Sequence, residues 1–510
     1  MKNKKYYYKK LFFSIAIIFL FFFSNLASSN SFIKNETKKE SNTILPLYST
    51  KNSDLWFDGN FNGCWGENKE SIDGYIWGDL NFGRSQSLGR FYGQYNISDE
   101  RSNGLINGIF RKHLLFGVIK NISDDSNHLF IGLLSFNKTG FKATIFCLGI
   151  QTIYINGRYE ASFLPPITGP YGVGVKSMHL IDESRLEEFT PDNPDDYREM
   201  MIQIWYPIDK EILEPKIDYM DPPTFAWLKG RSPIPLFTIP DNAYQFVCPH
   251  GRNEVSISDD EQMYPVIIFS PGYDGVYQIY TSLIEDIVSN GFIVVSINHP
   301  YVSGITVFPD GREIYTSPDP PGDLSLRSVV DDAKFVLDTI TEINNSDPNF
   351  NSRFDLSKVG MYGHSYGGAS TSICCYEDSR FSCGLTLDGV FYLEYISEGI
   401  DQPFLLMIAD NRFNDNNVQN MWDKLNNDGY KVQINGSTHY AFTDVGVLLK
   451  HLVPIIPPRL LGFGKIEPKN MVNITRKIEL LFFEVYLKDR SVDDLINLLS
   501  SYEEVLYDVK

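Results

Sequence analysis

The stretch Val359-Gly-Met-Tyr-Gly-His-Ser-Tyr-Gly-Gly-Ala369 decides how this chain is interpreted. An apolar segment leads into it, a run of small residues leaves it, and Gly363-His-Ser-Tyr-Gly367 fits the pattern G-x-S-x-G. In that pattern a strand ends in a sharp turn that exposes the serine hydroxyl, and a helix begins directly after it. The turn is crowded, so the residues two before and two after the serine must be small. Ser365 is therefore a candidate nucleophile, and the alternative is a glycine-rich turn without chemistry.

The segments on both sides of this motif alternate between strand and helix patterns. This alternation predicts an α/β fold with a mainly parallel sheet and helices on both faces, and it places an active site at the carboxyl ends of the strands. The predicted strands are Val266–Phe269, Phe292–Ile297, Leu385–Leu387, Phe404–Ile408 and Val432–Ile434. The predicted helices are Tyr280–Ser289, Leu326–Ile340 and Gly367–Cys375.

A serine nucleophile on this fold needs a histidine and an acid that follow it in the chain. His439 comes after a predicted strand in a short loop, as a general base should, whereas His451 lies in an aliphatic stretch typical of a helix face. Two acids follow predicted strands, Asp388 and Asp410, and the pattern alone leaves both open. The hydrolase chemistry requires no metal and no organic cofactor, and the scattered histidines do not favour a zinc site.

The oxyanion of such a reaction needs backbone N–H groups that already point at it. One is expected from Tyr366, the residue after the nucleophile. The other is expected from Tyr273, in the glycine-rich loop that follows the strand ending at Phe269. An ordinary strand-to-helix turn is the alternative for that loop.

The region from about 55 to 150 differs from the rest, because glycines bracket short aromatic or aliphatic segments there. This pattern predicts an antiparallel meander folded as a small, sandwich-like domain or a barrel. It either binds lipid or carbohydrate or serves only to position the catalytic domain. The predicted organisation is thus a signal peptide at 1–29, a linker at 30–54, a β-rich domain at 55–150 and a catalytic domain at 151–510.

Two further features concern the catalytic domain and the cysteines. A proline-rich excursion from Pro215 to Pro249 is predicted to be a lid or a surface insertion. Cys64 and Cys147 bracket the β-rich region and are expected to be able to pair in an oxidising compartment. Cys374, Cys375 and Cys383 fall in a predicted buried helix and strand, so they are expected to be reduced core residues.

The N-terminus predicts secretion. Five lysines precede the apolar run Leu11–Phe23, and small residues follow near Ala27, which is typical of a cleaved signal peptide. An uncleaved segment would make the protein membrane-associated. The N-x-[ST] pattern marks candidate glycosylation sites, with Asn435 the least favoured because it is close to His439: Asn35, Asn96, Asn121, Asn137, Asn344, Asn435 and Asn473.

Composition limits the partners. The chain has 510 residues and a formal net charge of -19. Nucleic acid and strongly anionic membranes are therefore excluded as expected partners. An apolar patch would still allow contact with a zwitterionic lipid surface.

From about Thr168 to Asp444 the chain resembles the plasma-type platelet-activating-factor acetylhydrolases. The resemblance is carried by Gly169-Pro-Tyr-Gly-Val-Gly174, Gly363-His-Ser-Tyr-Gly-Gly-Ala369, Arg380-Phe-Ser-Cys-Gly-Leu-Thr-Leu-Asp388 and Gly436-Ser-Thr-His-Tyr-Ala-Phe-Thr-Asp444. Where that family has His-Gly-Leu-Gly, this chain has Pro271-Gly-Tyr-Asp274, and a backbone donor at Tyr273 tolerates the change. The β-rich region lies outside the resemblance.

The resemblance implies a secreted, calcium-independent phospholipase of the α/β-hydrolase superfamily. It implies Asp388 rather than Asp410 as the acid of the triad. It also implies hydrolysis of the sn-2 ester of glycerophospholipids with short or oxidised acyl chains. A secreted carboxylesterase or polyester hydrolase that acts on non-phospholipid esters is the alternative, because it would use the same triad.

Overall fold

The computed structural model describes two regions, a β-barrel and an α/β domain, within one compact unit from Asp54 to Lys510. The residues described are 59–66, 74–85, 88–97, 100–111, 113–121, 126–136, 140–147, 152–160, 164–210, 216–231, 244, 247, 249–317, 324–452 and 458–510. The predicted signal peptide, Asn35 and Asn137 lie outside them. In this described part of the chain, no helix is both long enough and apolar enough to cross a bilayer.

Eight antiparallel strands in sequential order form a closed barrel, because the first strand pairs with both the second and the eighth. Phe130 and Leu134 of the sixth strand point inward and are buried, while Leu129 and Leu133 point outward, which is the two-residue period of a strand. The strands are β1 Gly59–Gly66, β2 Gly74–Ser85, β3 Leu88–Ile97, β4 Glu100–Arg111, β5 Leu114–Asn121, β6 Asn127–Phe136, β7 Gly140–Cys147 and β8 Thr152–Glu160.

The barrel corrects two expectations from the sequence. The meander closes into a barrel, one of the two forms expected, but its last strand, β8, extends beyond the boundary expected at residue 150. The pairing of Cys64 with Cys147 is wrong, since Cys147 is a free thiol. Cys64 lies on β1, Cys147 ends β7, and β8 lies between them. Two strand spacings separate the cysteines by about 10 Å at least, beyond the roughly 7 Å that a disulfide spans.

The α/β domain is built on one ten-stranded sheet. Its order is β11-β9-β10-β13-β12-β16-β17-β18-β19-β20, and the six strands from β13 to β19 are parallel, as predicted. The strands are β9 Gly172–Leu186, β10 Tyr197–Ile208, β11 Arg252–Asn253, β12 Tyr264–Ser270, β13 Ile293–Asn298, β16 Phe354–His364, β17 Phe381–Leu387, β18 Phe404–Ile408, β19 Gly429–Ile434 and β20 Val505–Val509. A separate hairpin consists of β14 Ile305–Val307 and β15 Glu313–Tyr315.

Helices cover both faces of this sheet because its central strands are apolar on both sides. Val266 and Ile268 of β12 belong to one hydrophobic cluster, whereas Ile267 and Phe269 belong to the other. The helices are α1 Pro222–Gly230, α2 Thr281–Ser289, α3 Leu324–Ser346, α4 Tyr366–Glu377, α5 Asn416–Asp423, α6 Val445–Leu452, α7 Pro468–Leu487 and α8 Val492–Ser500. Helices α3 and α4 pack on the face that carries Val266 and Ile268. Helices α2 and α7 pack on the opposite face, against Ile267 and Phe269.

The remaining sequence features take simple structural forms. Cys374, Cys375 and Cys383 are buried free thiols, as predicted. The excursion from Pro215 to Pro249 is described only in part, and that part contains α1, which begins after Asp221 because the Asp221 carboxylate accepts the backbone N–H of Thr224.

Four of the candidate glycosylation sites lie in strands and helices that the structure describes. Asn96 lies in β3 and Asn121 ends β5. The amide of Asn344 donates to the carbonyl of Phe354 and accepts its N–H, so this side chain already holds two backbone groups. Asn473 lies within α7.

Candidate active site

Ser365 lies at the sharp turn between β16 and α4. Its backbone has φ 54° and ψ -111°, a conformation that L-residues rarely adopt. The N–H of Ser365 donates to the carbonyl of Leu387 at 2.9 Å, and the carbonyl of Ser365 accepts the N–H of Ala369. These bonds hold the strained residue between the end of β17 and the first turn of the helix.

The two glycines of the motif are required by contact with neighbouring backbone. A Cβ on Gly363 would lie 2.4 Å from the carbonyl carbon of Gly367, and a Cβ on Gly367 would lie 2.1 Å from the carbonyl oxygen of Ser270. No side chain fits at these distances. The small residues therefore let the turn close against β12, as the motif predicts.

His439 and Asp388 meet beside this turn. The Nδ1 of His439 lies 2.6 Å from Oδ2 of Asp388. The imidazole of His439 also lies against that of His364, the residue before Ser365, with ring centres 4.5 Å apart. The Ser365 hydroxyl makes no hydrogen bond to any residue that the structure describes. Such contacts commonly form only when substrate binds.

Asp388 is held in place by groups that stabilise its charged form. Its Oδ1 accepts the N–H of Ala409 at 2.9 Å and the guanidinium of Arg412 at 2.8 Å. Burial acts to raise the pKa of this carboxyl, but the hydrogen bond from His439 and the charge of Arg412 lower the pKa to about 2. The aspartate is thus ionised at any physiological pH. The sequence pattern did not indicate Arg412, because its contact with Asp388 spans 24 residues.

Asp410 occupies a different position. Its Oδ2 accepts the N–H of Gly436 at 3.0 Å, and its own N–H donates to Ser437. The carboxylate therefore stabilises the loop that carries His439 and does not reach the imidazole. The other candidate histidine, His451, lies in α6.

The two residues expected to supply oxyanion donors lie on segments next to Ser365. The N–H of Tyr366 belongs to the first turn of α4, where N–H groups have no partner within the helix. The loop after β12 passes close to the serine, since a Cβ on Gly272 would lie 3.2 Å from the Cβ of Ser365. The rings of Tyr273 and Tyr366 contact each other at 5.7 Å. Both expected oxyanion donors are thus next to the turn.

His364 links the turn to the loop of His439, a connection that the sequence did not predict. Its Nε2 lies 2.9 Å from the carbonyl oxygen of His439, and its Nδ1 lies 2.9 Å from the hydroxyl of Tyr280. A neutral imidazole with its proton on Nε2 satisfies both partners, because Nε2 then donates to the carbonyl oxygen and Nδ1 accepts the hydroxyl proton of Tyr280. Burial lowers the pKa of His364 to about 3, which is consistent with this neutral form.

A second group of serine, histidine and aspartate lies at the carboxyl ends of β12 and β13. His299 contacts Ser270 through Nε2 at 3.3 Å and Asp332 through Nδ1 at 2.9 Å. All three are buried, and Asp332 also pairs with the buried guanidinium of Arg198 at 2.6 Å. Substrate cannot reach Ser270. The group instead stabilises the start of the loop that leads to Tyr273.

Asp444, five residues after His439, is fully buried. Ser282 donates both its N–H and its hydroxyl to this carboxyl, and the Tyr219 hydroxyl lies 3.3 Å from it. Burial raises the pKa of Asp444 to about 7 in spite of these hydrogen bonds. The contact ties the chain after His439 to α2.

A mainly parallel sheet that carries a serine on this kind of turn, with a histidine and an aspartate from later strand ends beside it, is the α/β-hydrolase fold of serine esterases. The family model described as platelet-activating factor acetylhydrolase, isoform II, matches residues 157–339 and 331–506. The chain belongs to this family. The barrel precedes the matched residues almost entirely.

Individual relatives agree with this placement. The chain is similar to a probable 1-alkyl-2-acetylglycerophosphocholine esterase of Arthroderma benhamiae, with 24% identity over 60% of this chain and 83% of the relative. It is also similar to the platelet-activating factor acetylhydrolase of Cavia porcellus, with 23% identity over 72% and 88% of the two chains. Among solved structures, a ferulic acid esterase from Streptomyces cinnamoneus matches with a TM-score of 0.58 and 26% identity, covering 68% of this chain and 98% of that one.

Proposed function

We propose that this protein is a secreted serine esterase that hydrolyses the sn-2 ester of glycerophospholipids with short or oxidised acyl chains. The observation that carries the proposal is the 2.6 Å contact of His439 with Asp388 beside the strained Ser365. The family supports the substrate class, and the geometry supports the proposed roles of the residues. No step of the reaction requires calcium or another cofactor.

The proposed reaction begins with attack by the Ser365 hydroxyl on the sn-2 carbonyl. His439 accepts the hydroxyl proton on Nε2, because Nδ1 is held by Asp388. The same proton is then donated to the oxygen of the leaving lysophospholipid. Water releases the acyl group in the second half of the reaction, again with His439 as the base.

The charge that develops on the carbonyl oxygen is stabilised by the N–H groups of Tyr273 and Tyr366. The N–H of Tyr366 begins α4, the N–H of Tyr273 lies in the loop after β12, and neither depends on side-chain identity. Each donor of this kind contributes about 3 kcal/mol to transition-state stabilisation. Asp388 stabilises the imidazolium that forms on His439 and fixes its tautomer.

Location and surface contact form part of the proposal. A basic N-terminus followed by an apolar run supports secretion through a signal peptide. We propose glycosylation at Asn96 and Asn121, which lie on barrel strands, and at Asn35 and Asn137. Asn344 and Asn473, which lie in helices, are secondary candidates. The enzyme would contact lipid aggregates peripherally to reach its substrate.

The proposal is tested by hydrolysis of a phosphatidylcholine with an acetyl group at sn-2 and a long ether chain at sn-1. Wild type should release acetate and the lysolipid at the same rate with and without a chelator. Ser365→Ala should release neither. Retained hydrolysis by Ser365→Ala, or loss of wild-type activity with chelator, would contradict the proposal.

A second candidate is an esterase of soluble aromatic or polymeric esters. The similarity to the ferulic acid esterase, which covers nearly all of that structure, favours it. Comparing kcat/KM for the sn-2 acetyl phospholipid with that for a methyl ferulate decides between them. A higher kcat/KM for methyl ferulate would make the soluble ester the preferred substrate, and the proposed triad would stay the same.

A further inference from the structure

Asp274 directly follows Tyr273, the residue expected to donate its N–H to the oxyanion, and it has an unusual backbone conformation. Its φ is 56°, in the left-handed region that residues other than glycine adopt at a cost in free energy. Ser365 and Asp388 share this conformation, with φ values of 54° and 47°. Such residues persist only where surrounding contacts hold them, and they concentrate at functional sites. The contacts that hold Asp274 therefore bear on the position of the N–H beside it.

Hydrogen bonds to two other segments hold Asp274 in this conformation. Its N–H donates to the carbonyl of Val302 at 2.9 Å. Its Oδ1 accepts the hydroxyl of Thr316 at 2.6 Å and the guanidinium of Arg231 at 2.8 Å. Val302 precedes the hairpin of β14 and β15, and Thr316 directly follows it. Arg231 directly follows α1, so the side chain of Asp274 joins the loop after β12 to the hairpin and to this helix.

The same loop lies against the turn that carries the nucleophile. A Cβ on Gly272 would lie 3.2 Å from the Cβ of Ser365. The ring of Tyr273 contacts that of Tyr366, with ring centres 5.7 Å apart, and its hydroxyl donates to the carbonyl of Ser317 at 2.8 Å. A shift of these anchors would move the backbone next to the serine.

Arg231 is placed at the loop by helix α1. The ring of Trp227 in α1 packs on the segment before β14, since a Cβ on Gly304 would lie 2.0 Å from that ring. The N–H of Arg231 donates to the carbonyl of Trp227, and its guanidinium lies 5.7 Å from the centre of the same ring. The charge of Arg231 offsets that of the Asp274 carboxylate. Without this cation, a negative group next to the expected donor would oppose the formation of the oxyanion.

We propose that Asp274 is a positioning residue for the oxyanion site. The bonds from Thr316 and Arg231 to its carboxylate fix the loop in the orientation that the Tyr273 N–H needs. Asp274 acts through this N–H and not on the substrate. The inference rests on the proposed function, because that function assigns the N–H of Tyr273 to the oxyanion.

The variant Asp274→Gly tests the proposal, because glycine adopts the left-handed backbone without strain while the carboxylate is lost. The assay is turnover of para-nitrophenyl acetate, since acylation and deacylation both pass through an oxyanion. We expect kcat to fall by about tenfold, a part of the roughly 100-fold lost with a whole donor, and KM to change by less than about twofold. The Tm should stay within about 2 °C of wild type, because relief of backbone strain offsets the lost bonds.

Two further variants separate the contacts of the carboxylate. Asp274→Asn keeps an oxygen that can accept from both donors and tolerates the left-handed backbone, so its kcat should be within about twofold of wild type. Arg231→Gln leaves the carboxylate without its cation and should lower kcat by about threefold to fivefold. Combining Arg231→Gln with Asp274→Asn should restore kcat to the value of Asp274→Asn alone, because no carboxylate then needs the cation.

Asp489→Gly is the matched control. Asp489 has φ 57°, and its carboxylate accepts the Nζ of Lys358 at 2.7 Å, so the substitution makes the same chemical change elsewhere. Lys358 precedes Ser365 by seven residues along β16, or roughly 20 Å. The kcat and KM of this variant should equal those of wild type.

A wild-type kcat in Asp274→Gly would overturn the proposal. An equal loss in Asp489→Gly, or a loss of kcat that follows a lowered Tm, would also overturn it and leave Asp274 a structural role. A raised KM with unchanged kcat would assign Asp274 to substrate binding instead. Failure of the proposed function has a different signature, since it would appear as turnover retained by Ser365→Ala.

Discussion

Replacing Asp388 with Asn tests the pairing on which the active site depends. The carboxylate holds Nδ1 of His439 at 2.6 Å and is buried. The pKa of Asp388 is about 2, against an ordinary value of 3.8. That difference corresponds to roughly 2.5 kcal/mol of interaction favouring the charged carboxylate, at 1.36 kcal/mol for each tenfold change.

The substitution removes this interaction and also changes the tautomer. An amide that donates to Nδ1 leaves the proton on Nε2, where the imidazole can no longer accept one from Ser365. Together the two effects should lower kcat by about 10³- to 10⁴-fold, or about 4–5.5 kcal/mol. The assay is steady-state turnover of the sn-2 acetyl phospholipid, with KM measured separately and expected to change little.

Asp410→Asn is the matched control. Its amide oxygen can still accept the N–H of Gly436, as the carboxylate does. Activity should therefore fall by less than about threefold, since surface-loop substitutions of this kind cost a few tenths of a kcal/mol. The reasoning is refuted if Asp388→Asn remains active while Asp410→Asn loses activity by orders of magnitude.

Three further substitutions have defined outcomes. Tyr280→Phe removes the hydroxyl that donates to His364. It should lower kcat by about threefold to tenfold and the free energy of unfolding by about 1 kcal/mol. Unchanged values of both would contradict the role of the contact between Tyr280 and His364. Gly367→Ala would place a Cβ 2.1 Å from the Ser270 carbonyl, so we expect thermal unfolding to show a markedly lowered Tm, and a wild-type Tm would be inconsistent with the turn. The pKa of Asp444 is raised from 3.8 to about 7, so the folded state keeps a proton that the unfolded state loses. The free energy of unfolding should therefore fall as pH rises from about 4 to 7. Urea titrations at several pH values measure this dependence, and Asp444→Asn should flatten it.

Much of the site was predictable because it depends on local patterns. Ser365 follows from a turn whose crowding demands glycines, and His439 follows from its place just after a strand. The acid was not determined by pattern, because Asp388 and Asp410 both follow parallel strands and only the bond to His439 separates them. The contacts of Arg412 and His364 join residues far apart in the chain, and no periodicity indicates them.

The barrel shows a different limit. Its individual strands follow from glycine-bracketed apolar segments, but closure requires β1 to pair with β8, whose residues are nearly one hundred positions away. β8 carries a weak strand pattern, Thr-Ile-Tyr-Ile-Asn-Gly-Arg-Tyr-Glu, and it lies beyond residue 150, within the range that the sequence predicts for the catalytic domain. If β8 is left out, Cys64 and Cys147 fall at the two ends of one open meander. The sequence then suggests a disulfide between them, which the closed barrel does not contain.

The most direct measurement of the central claim is the position of a covalent adduct. The enzyme is inactivated with a fluorophosphonate, digested, and mapped by mass spectrometry. The adduct should occur on the peptide that contains Ser365, with stoichiometric loss of phospholipid hydrolysis, and Asp388→Asn should react far more slowly. An adduct on another residue, or full hydrolysis by enzyme that is completely labelled on Ser365, would contradict the assignment of Ser365 as the nucleophile.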